Sequence, residues 1–510
     1  MENISRRLAK NTMLLYFRQI LIMAVSLYTS RITLATLGLS DYGIYNVIGG
    51  FVAMFSIISG SMSVAISRFI TIEVGNKNTE NIKKIFSTSV LIQIVISIVI
   101  IILCEAIGIW FIYNKMNVPA NRMTASFWVM QFSLITFCVN LMSIPYNAII
   151  IAHEKMSAFA YISILEGVLK LLIIYLLYIS PFDKLIVYAA LLCFVSFLIR
   201  LVYGFYCKRN FKDESKFSLS FNRNLLSEMC SFIGWAFFGN GIIVVKDYGT
   251  NILLNLFCGT VMNAARGVAG QVNTAVVSFV QNFMMALNPQ ITKSYAEKDY
   301  KTMHLLIIRG QKFSFFILLM LFMLFVPNID YILGLWLKEV PAHTASLVVL
   351  ILLYSLTETY TNPLVTGVLA EGNIRNYEIS LLVIYAINFA VSYVILKFGG
   401  EVELVFAFNV LFKIFVCVSL LIHSRIKYSF PIRKFFASCV LPTMAVFVLS
   451  GLAVYFLHTY RAETFLKMML ESMVNIAICL LLSALIGLNK NERKFIFATI
   501  KSKFLHKGSK

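Results

Sequence analysis

Apolar residues in this chain run on for roughly 20 positions at a time, with short polar stretches between the runs. That pattern leaves few folds open. A helix rises about 1.5 Å per residue, so a run of about 20 crosses the hydrocarbon core of a bilayer. The runs do not alternate apolar and polar residues, as the strands of a membrane barrel do. In lipid, a helix satisfies its backbone donors and acceptors within its own segment. Fourteen spans are predicted, at 11–35, 42–66, 85–112, 123–150, 157–179, 185–206, 225–256, 261–288, 304–335, 343–369, 377–397, 403–423, 435–458 and 467–488. The expected fold class is an all-α polytopic membrane protein with about 14 transmembrane helices. Only 13% of the 510 residues are charged, against roughly a quarter in a soluble domain.

Charge placement orients the spans. An even count puts both termini on one side. Of the 44 Lys and Arg, 30 fall in segments on that side or in the span ends beside them, 7 likewise on the other side and 7 deeper inside spans. Positive loops stay inside, so both termini are expected in the cytoplasm. The net charge of +20 then reflects orientation and contact with anionic lipid heads. The basic residues are scattered over many loops without a recognition module, so no nucleic-acid partner is expected. Trp110, Trp128 and Trp336 lie near predicted outer ends, where indoles suit the interface. The first span carries Arg18 and Arg31 and lacks an Ala-x-Ala exit, unlike a cleaved leader.

Enzyme chemistry is disfavoured. External loops are no longer than roughly a dozen residues, too short for a soluble catalytic domain. The nine Cys are scattered without a Cys-x-x-Cys, against a disulfide framework or a zinc site. Asp-x-Asp, His-Glu-x-x-His and the phosphate-binding Gly-Lys-Ser/Thr are all missing, so neither a cofactor nor ATP-driven transport is expected.

The chain also repeats itself. Ser30-Arg31-Ile32-Thr33-Leu34 through Asn46 to Gly49-Gly50 lies over Thr250-Asn251-Ile252-Leu253-Leu254 through Arg266 to Ala269-Gly270, 220 positions later. Ile70-Thr71 and Lys77 meet Ile291-Thr292 and Lys298 at an offset of 221. Pro145 to Ala152 meets Pro363 to Ala370 at an offset of 218. Three matches in one order at nearly one offset imply two equivalent halves, and paired membrane halves read as a transporter with its site between them. The halves are 1–206 and 225–423, joined by a solvated cytoplasmic linker at 207–224. An extra helix pair at 435–488 and a basic cytoplasmic tail at 489–510 follow. Stretches 67–84 and 289–303 are expected as short helices along the inner face. Pro145 and Pro363 are expected to permit bends at matched positions.

Charges at membrane depth cost roughly 2.5–3.5 kcal/mol each on insertion scales, so they need partners, water or a route to the interface. The cations are Arg18, Arg31, Lys170, Arg200, Lys246, Arg266 and Lys413; the acids are Glu105, Glu166, Asp247 and Glu358. Glu166 and Lys170 stand four apart and are expected to pair. Asn263, Arg266, Gly270, Asn273 and Gln281 form one helical stripe. Asn240, Asp247, Asn251 and Asn255 share another face, with Lys246 beside it. Small and amide residues of this kind also serve helix packing, whereas Arg266 and Lys246 demand more than close packing. Arg18 and Arg31 are about 220° apart on an ideal helix, and either is able to snorkel instead. Lys413 is mid-span with nothing further to mark it. If these cations face a central space, that space is positive with few acids to neutralise it. An anion suits it, and a diphosphate suits several Arg and Lys.

Asn11-Thr12, Gly38-Leu39-Ser40-Asp41-Tyr42-Gly43-Ile44-Tyr45-Asn46, Ile144-Pro145 through Ala152, and Arg266-Gly267 resemble bacterial polysaccharide and O-antigen flippases. These share a superfamily with multidrug and toxin exporters and lipid II flippases. The resemblance covers nearly the whole chain. It implies two six-helix bundles, an N-lobe and a C-lobe, in a V around a cation-rich cavity, plus two C-terminal helices. It also implies translocation of an undecaprenyl-diphosphate-linked oligosaccharide across the bacterial cytoplasmic membrane, coupled to H+ or Na+. A polysaccharide polymerase and a chain-length regulator are the protein partners implied. Arg18, Arg31, Lys246, Arg266 and Asn273 are then the candidate substrate-binding residues, and Asp247 and Glu358 the candidate coupling-ion residues. A lipid II flippase or a multidrug exporter is the alternative within the superfamily. A membrane polymerase or ligase is the alternative class; it usually needs a substantial outer loop, and the short ones here offer only His343 and His458.

Overall fold

The computed structural model describes residues 2–114, 119–218, 223–258, 260–337, 340–457, 464–489 and 492–493. Every regular element among these is helical. In chain order they are α1 (Glu2–Ala53), α2 (Ser56–Gly75), α3 (Thr79–Leu103), α4 (Ile109–Asn114), α5 (Met123–Ala152), α6 (Met156–Ile179), α7 (Lys184–Asn210), α8 (Arg223–Cys258) and α9 (Thr260–Ala296). There follow α10 (Tyr300–Phe325), α11 (Ile329–Trp336), α12 (Thr344–Glu358), α13 (Asn362–Glu371), α14 (Arg375–Lys397), α15 (Val402–Tyr428), α16 (Ile432–Phe435), α17 (Leu441–Leu457) and α18 (Phe465–Leu482). Among the described residues, eleven helices are long and apolar enough to cross a membrane, or twelve if the bent pair α12 and α13 is one span. The predicted spans 11–35 and 261–288 lie in α1 and α9, which are not among them. Both helices carry Arg and amide side chains along their length.

The chain divides into two compact units, one of residues 10–240 and one from residue 241 onward together with the first nine residues. In the first unit α5 packs on α7 and α2, and α7 also packs on α6. In the second, α9 packs on α10, α12 and α13, and α15 packs on α12 and α14. Trp110, Trp128 and Trp336 are about half exposed, at 51%, 45% and 50%.

The first two predicted spans are not separated by a loop. Helix α1 runs through the first and into the second, and within it only Gly38 breaks the helical backbone; its φ of 78° and ψ of 169° lie where residues other than glycine are strained. The second predicted span is in turn interrupted near Met54 and Phe55, and then continues as α2. A Cβ at Gly38 would meet no neighbour within 4 Å, so the cost of Gly38→Ala is backbone strain alone. It is expected to be about 1–3 kcal/mol, read as a fall in the unfolding midpoint of the purified protein.

The internal repeat is written into the backbone. Lys77 and Lys298, aligned at an offset of 221, both adopt a left-handed conformation, with φ of 57° and 58°. Each is followed by a side-chain helix cap, Asn78 accepting from the Asn81 amide and Asp299 from the Thr302 amide. Asp299 is held below its ordinary carboxylate value first by a hydrogen bond with the Thr302 side chain and then by the Thr302 amide. Glu154 and Gly372, 218 apart, also share positive φ, at 57° and 97°. These turns correct an expectation: 67–84 and 289–303 are not inner-face helices. They are the ends of α2 and α9, a tight turn, and the starts of α3 and α10.

The two matched prolines sit in different helical settings. Pro145 sits inside the continuous α5. Pro363 begins α13, where a missing N–H costs nothing, after a 42° break from α12. The carbonyl of Tyr360 inside that break accepts from the buried Gln311 amide of α10 at 2.6 Å.

The expected solvated linker also starts as packed chain. Helix α7 continues to Asn210; Phe211 then stacks on His153 at 4.4 Å, and Glu214 pairs with His153 at 2.7 Å. The Ser218 amide donates to the Ser87 hydroxyl. An apolar ring and an acid within the polar stretch explain why it docks.

A three-member ion network, unmarked in the sequence, ties distant segments of the first unit. Arg122 pairs with Asp41 and, at 2.5 Å, with Asp183, the N-cap of α7. Burial raises the Asp183 pKa, but the Arg122 guanidinium and the amides of Ile186 and Leu185 outweigh it and hold the carboxyl below its ordinary value. A lowered carboxyl stabilises above its unfolded pKa of about 3.9 and loses that contribution as pH falls further. Asp183→Asn is therefore expected to unfold at lower temperature than the parent at pH 7. The difference should shrink as pH drops below about 4.

Candidate functional site

The second unit holds a half-open cavity of about 470 Å³ walled by α8, α9, α12 and α15. Its polar lining includes Lys246, Asp247, Thr250 and Asn251 from α8, and Arg266, Asn273 and Thr274 from α9. Ser355 and Glu358 come from α12, Asn409 from α15, and Tyr354 adds an aromatic wall. The helical stripes explain the convergence. Arg266, Gly270, Asn273 and Thr274 fall on one face of α9, and Lys246, Thr250 and Asn251 within about one turn of α8.

Five of the seven candidate residues thus meet in one place: Lys246, Asp247, Arg266, Asn273 and Glu358. Arg18 belongs to the other unit, where its guanidinium lies over the Phe159 ring at 4.9 Å. The Arg31 side chain lies outside the described residues, as do those of Asn255 and Asn263. Gln281, at the far end of the α9 stripe, is not part of the lining.

The charges are more nearly balanced than expected. Arg266 Nη1 donates to the Asp247 carbonyl at 3.0 Å, and its Nη2 is 3.8 Å from the Asp247 carboxylate. Lys246 Nζ is 3.6 Å from the same carboxylate. It also sits over the Tyr354 and Tyr385 rings, at 4.9 and 5.3 Å. Glu358 is matched by Lys413 of α15, with Nζ 2.7 Å from Oε1. Asn273 accepts from the Ser355 hydroxyl at 2.7 Å. Within this unit the two carboxylates of the lining, Asp247 and Glu358, are matched by Lys246 and Arg266 of the lining and by Lys413 behind it. The physical reason is the cost of a lone charge at this depth, which pairing removes.

Lys413, which the sequence marks only as a mid-span cation, is the partner of a lining residue. Its one signal was the buried amine itself, which needs an acid within reach, with Glu358 available on a neighbouring helix. Elsewhere the expected pair of Glu166 and Lys170 forms, at 2.6 Å on an exposed face. Arg200 lies over the Tyr146 ring at 3.9 Å. Among the described residues no cluster of His, Cys, Asp and Glu could hold a metal ion.

The chain is similar over residues 8–295 to the family described as polysaccharide biosynthesis protein. No curated protein matches it. Solved structures do. One is an outward-facing multidrug resistance MATE family transporter of the MOP superfamily, 15% identical with a TM-score of 0.69, covering 82% of this chain and 96% of that one. A MATE in the bent conformation is 14% identical with a TM-score of 0.65, covering 84% and 97%. A MOP superfamily transporter from Pyrococcus furiosus, described as having a binding pocket of reverse polarity, is 14% identical with a TM-score of 0.62, covering 82% and 96%.

Proposed function

The chain belongs to the polysaccharide biosynthesis protein family and has the fold of multi-span helical membrane transporters, and from that premise we propose that it is a lipid-linked oligosaccharide flippase. Its substrate is an undecaprenyl-diphosphate-linked repeat unit, carried across the bacterial cytoplasmic membrane by alternating access, with both termini cytoplasmic. The halves 1–206 and 225–423 act as the two lobes, and Na+ or H+ supplies the drive. The family and fold are those of transporters, not enzymes.

The observation that carries this reading is the cavity of the second unit. Arg266 and Lys246, with side chains only 15% and 12% exposed, present fixed cations beside Asn273, Ser355 and Asn409. Guanidinium forks and an ammonium suit diphosphate oxygens, and the amides and hydroxyl suit sugar hydroxyls. Both acids of the lining already have cationic partners, which disfavours an organic cation. Asp247 and Glu358 are the groups able to hold a coupling ion; both touch the same cavity.

The test is reconstitution of the purified chain into liposomes carrying a fluorescent undecaprenyl-diphosphate oligosaccharide. Protein-dependent loss of outer-leaflet label to a membrane-impermeant quencher is expected. Export of organic cations with no such movement would replace this reading with the drug exporter.

A further inference from the structure

We propose that the Glu358 carboxylate binds a small monovalent cation, Na+ or H+, and that the Lys413 ammonium is its built-in competitor, holding the carboxylate whenever the ion is absent. The proposal rests on the reading of this cavity as the transport site. Three features of the geometry carry it.

The pair is open on one side only. The Lys413 side chain is 7% exposed and that of Glu358 is 31% exposed. Glu358 lines the cavity, while Lys413 meets the Glu358 carboxylate from α15 and is not itself part of the lining. An ion in the cavity therefore meets the carboxylate without passing the amine. A carboxylate offers about four lone-pair sites, and Lys413 contacts one of its two oxygens. A pair serving only to fasten α12 to α15 would gain nothing from exposing its acid.

The amine has a second place to rest. Its Nζ is already 5.2 Å from the Tyr354 ring centroid, the ring that Lys246 also approaches. Moving off Glu358 onto that ring keeps a cation–π contact, so displacement does not strand a charge in apolar surroundings.

The surrounding charges favour Glu358 over Asp247. Facing Glu358 are Lys413 from α15, Tyr354 of its own helix, Tyr377 of α14, and across the cavity Lys246 and Asp247 of α8 and Arg266 of α9. Asp247 already faces two cations, Lys246 and Arg266, so an added ion there meets two like charges. At Glu358 it displaces a single one. Swapping one cation for another also keeps the carboxylate neutralised in both states. The carrier without its ion then returns with no unpaired acid at membrane depth.

The test is the cation dependence of thermal unfolding of the purified full-length chain in detergent, without lipid-linked substrate. One arm titrates NaCl against choline chloride at fixed pH; the other titrates pH in choline chloride. A bound ion raises the unfolding temperature with concentration. In whichever arm responds, Lys413→Gln is expected to lower the half-maximal cation activity at least about tenfold. Lys413→Arg, whose fork grips the carboxylate harder, is expected to raise it, and Glu358→Gln to abolish the response. Equal responses in the parent and both Lys413 variants, a response surviving in Glu358→Gln, or no response in either arm would overturn the proposal. Because no substrate is present, such a failure leaves the flippase reading standing, and loss of flipping in an Arg266 variant leaves this one standing.

Discussion

Arg266→Ala is expected to slow flipping of an undecaprenyl-diphosphate oligosaccharide about 10- to 100-fold while the protein still folds and inserts. The guanidinium sits in the cavity wall with its Nη1 bonded to a backbone carbonyl, which leaves donors of the fork for a ligand. A hydrogen bond to a charged group contributes about 1.5–3 kcal/mol, which is the basis of that range. Lys246→Ala is expected to lose less, because an ammonium is a point charge without a bidentate fork. Arg266→Lys should recover only part of the rate for the same reason. Unchanged flipping in Arg266→Ala and Lys246→Ala, each reconstituted at parental density, would show that the diphosphate binds elsewhere.

The second large effect concerns stability. Lys312, in the middle of α10, is 1% exposed, and its Nζ lies 3.0 Å from Glu492 Oε2. Glu492 lies beyond α18 in the sequence; its Oε1 is 3.8 Å from Arg309, and its Oε2 accepts from the Asn489 amide. Around this pair the C-terminal helices fit closely against α10. A Cβ on Gly487 would collide with the Phe316 ring, and the Asn475 amide donates to the Met323 carbonyl. Removing one member of a buried pair leaves the other uncompensated and costs about 3–5 kcal/mol. Glu492→Ala is therefore expected to lower the unfolding midpoint strongly. The double variant Lys312→Met, Glu492→Leu should recover most of the loss, since apolar groups of similar size often replace such a pair at little cost. A double variant no more stable than Glu492→Ala would mean that the charges themselves are required there.

Legibility in the sequence followed the range of the physics involved. Continuous apolar runs report helices in lipid because the constraint acts within each segment, and the helical class followed. The aligned offsets reported a duplicated backbone, which the left-handed Lys77 and Lys298, and Glu154 and Gly372, display. Helical periodicity put Arg266 and Asn273 on one face, and the cavity uses both. Helix ends were harder to read. The stretch 67–84 is expected as a short inner-face helix, but a one-residue left-handed turn and a side-chain cap allow two long helices to meet there, and neither leaves a periodic signal. Matched prolines predicted matched bends, yet Pro363 opens a helix while Pro145 lies inside one, because a proline's effect depends on where the helix around it begins.

Partnership across helices was beyond sequence reasoning. Lys413 was one amine in an apolar span, and Glu358 was one acid 55 positions away. Nothing local links them, and only packing of α12 against α15 brings them to 2.7 Å. The same holds for Arg122 between Asp41 and Asp183, and for Lys312 with Glu492. By itself the sequence determined the helical membrane class, the duplication and the polar faces, since these rest on burial and periodicity along one segment. The tertiary structure alone decided which charges neutralise one another, because pairing energy depends on distance and burial, and those arise only when separate helices meet.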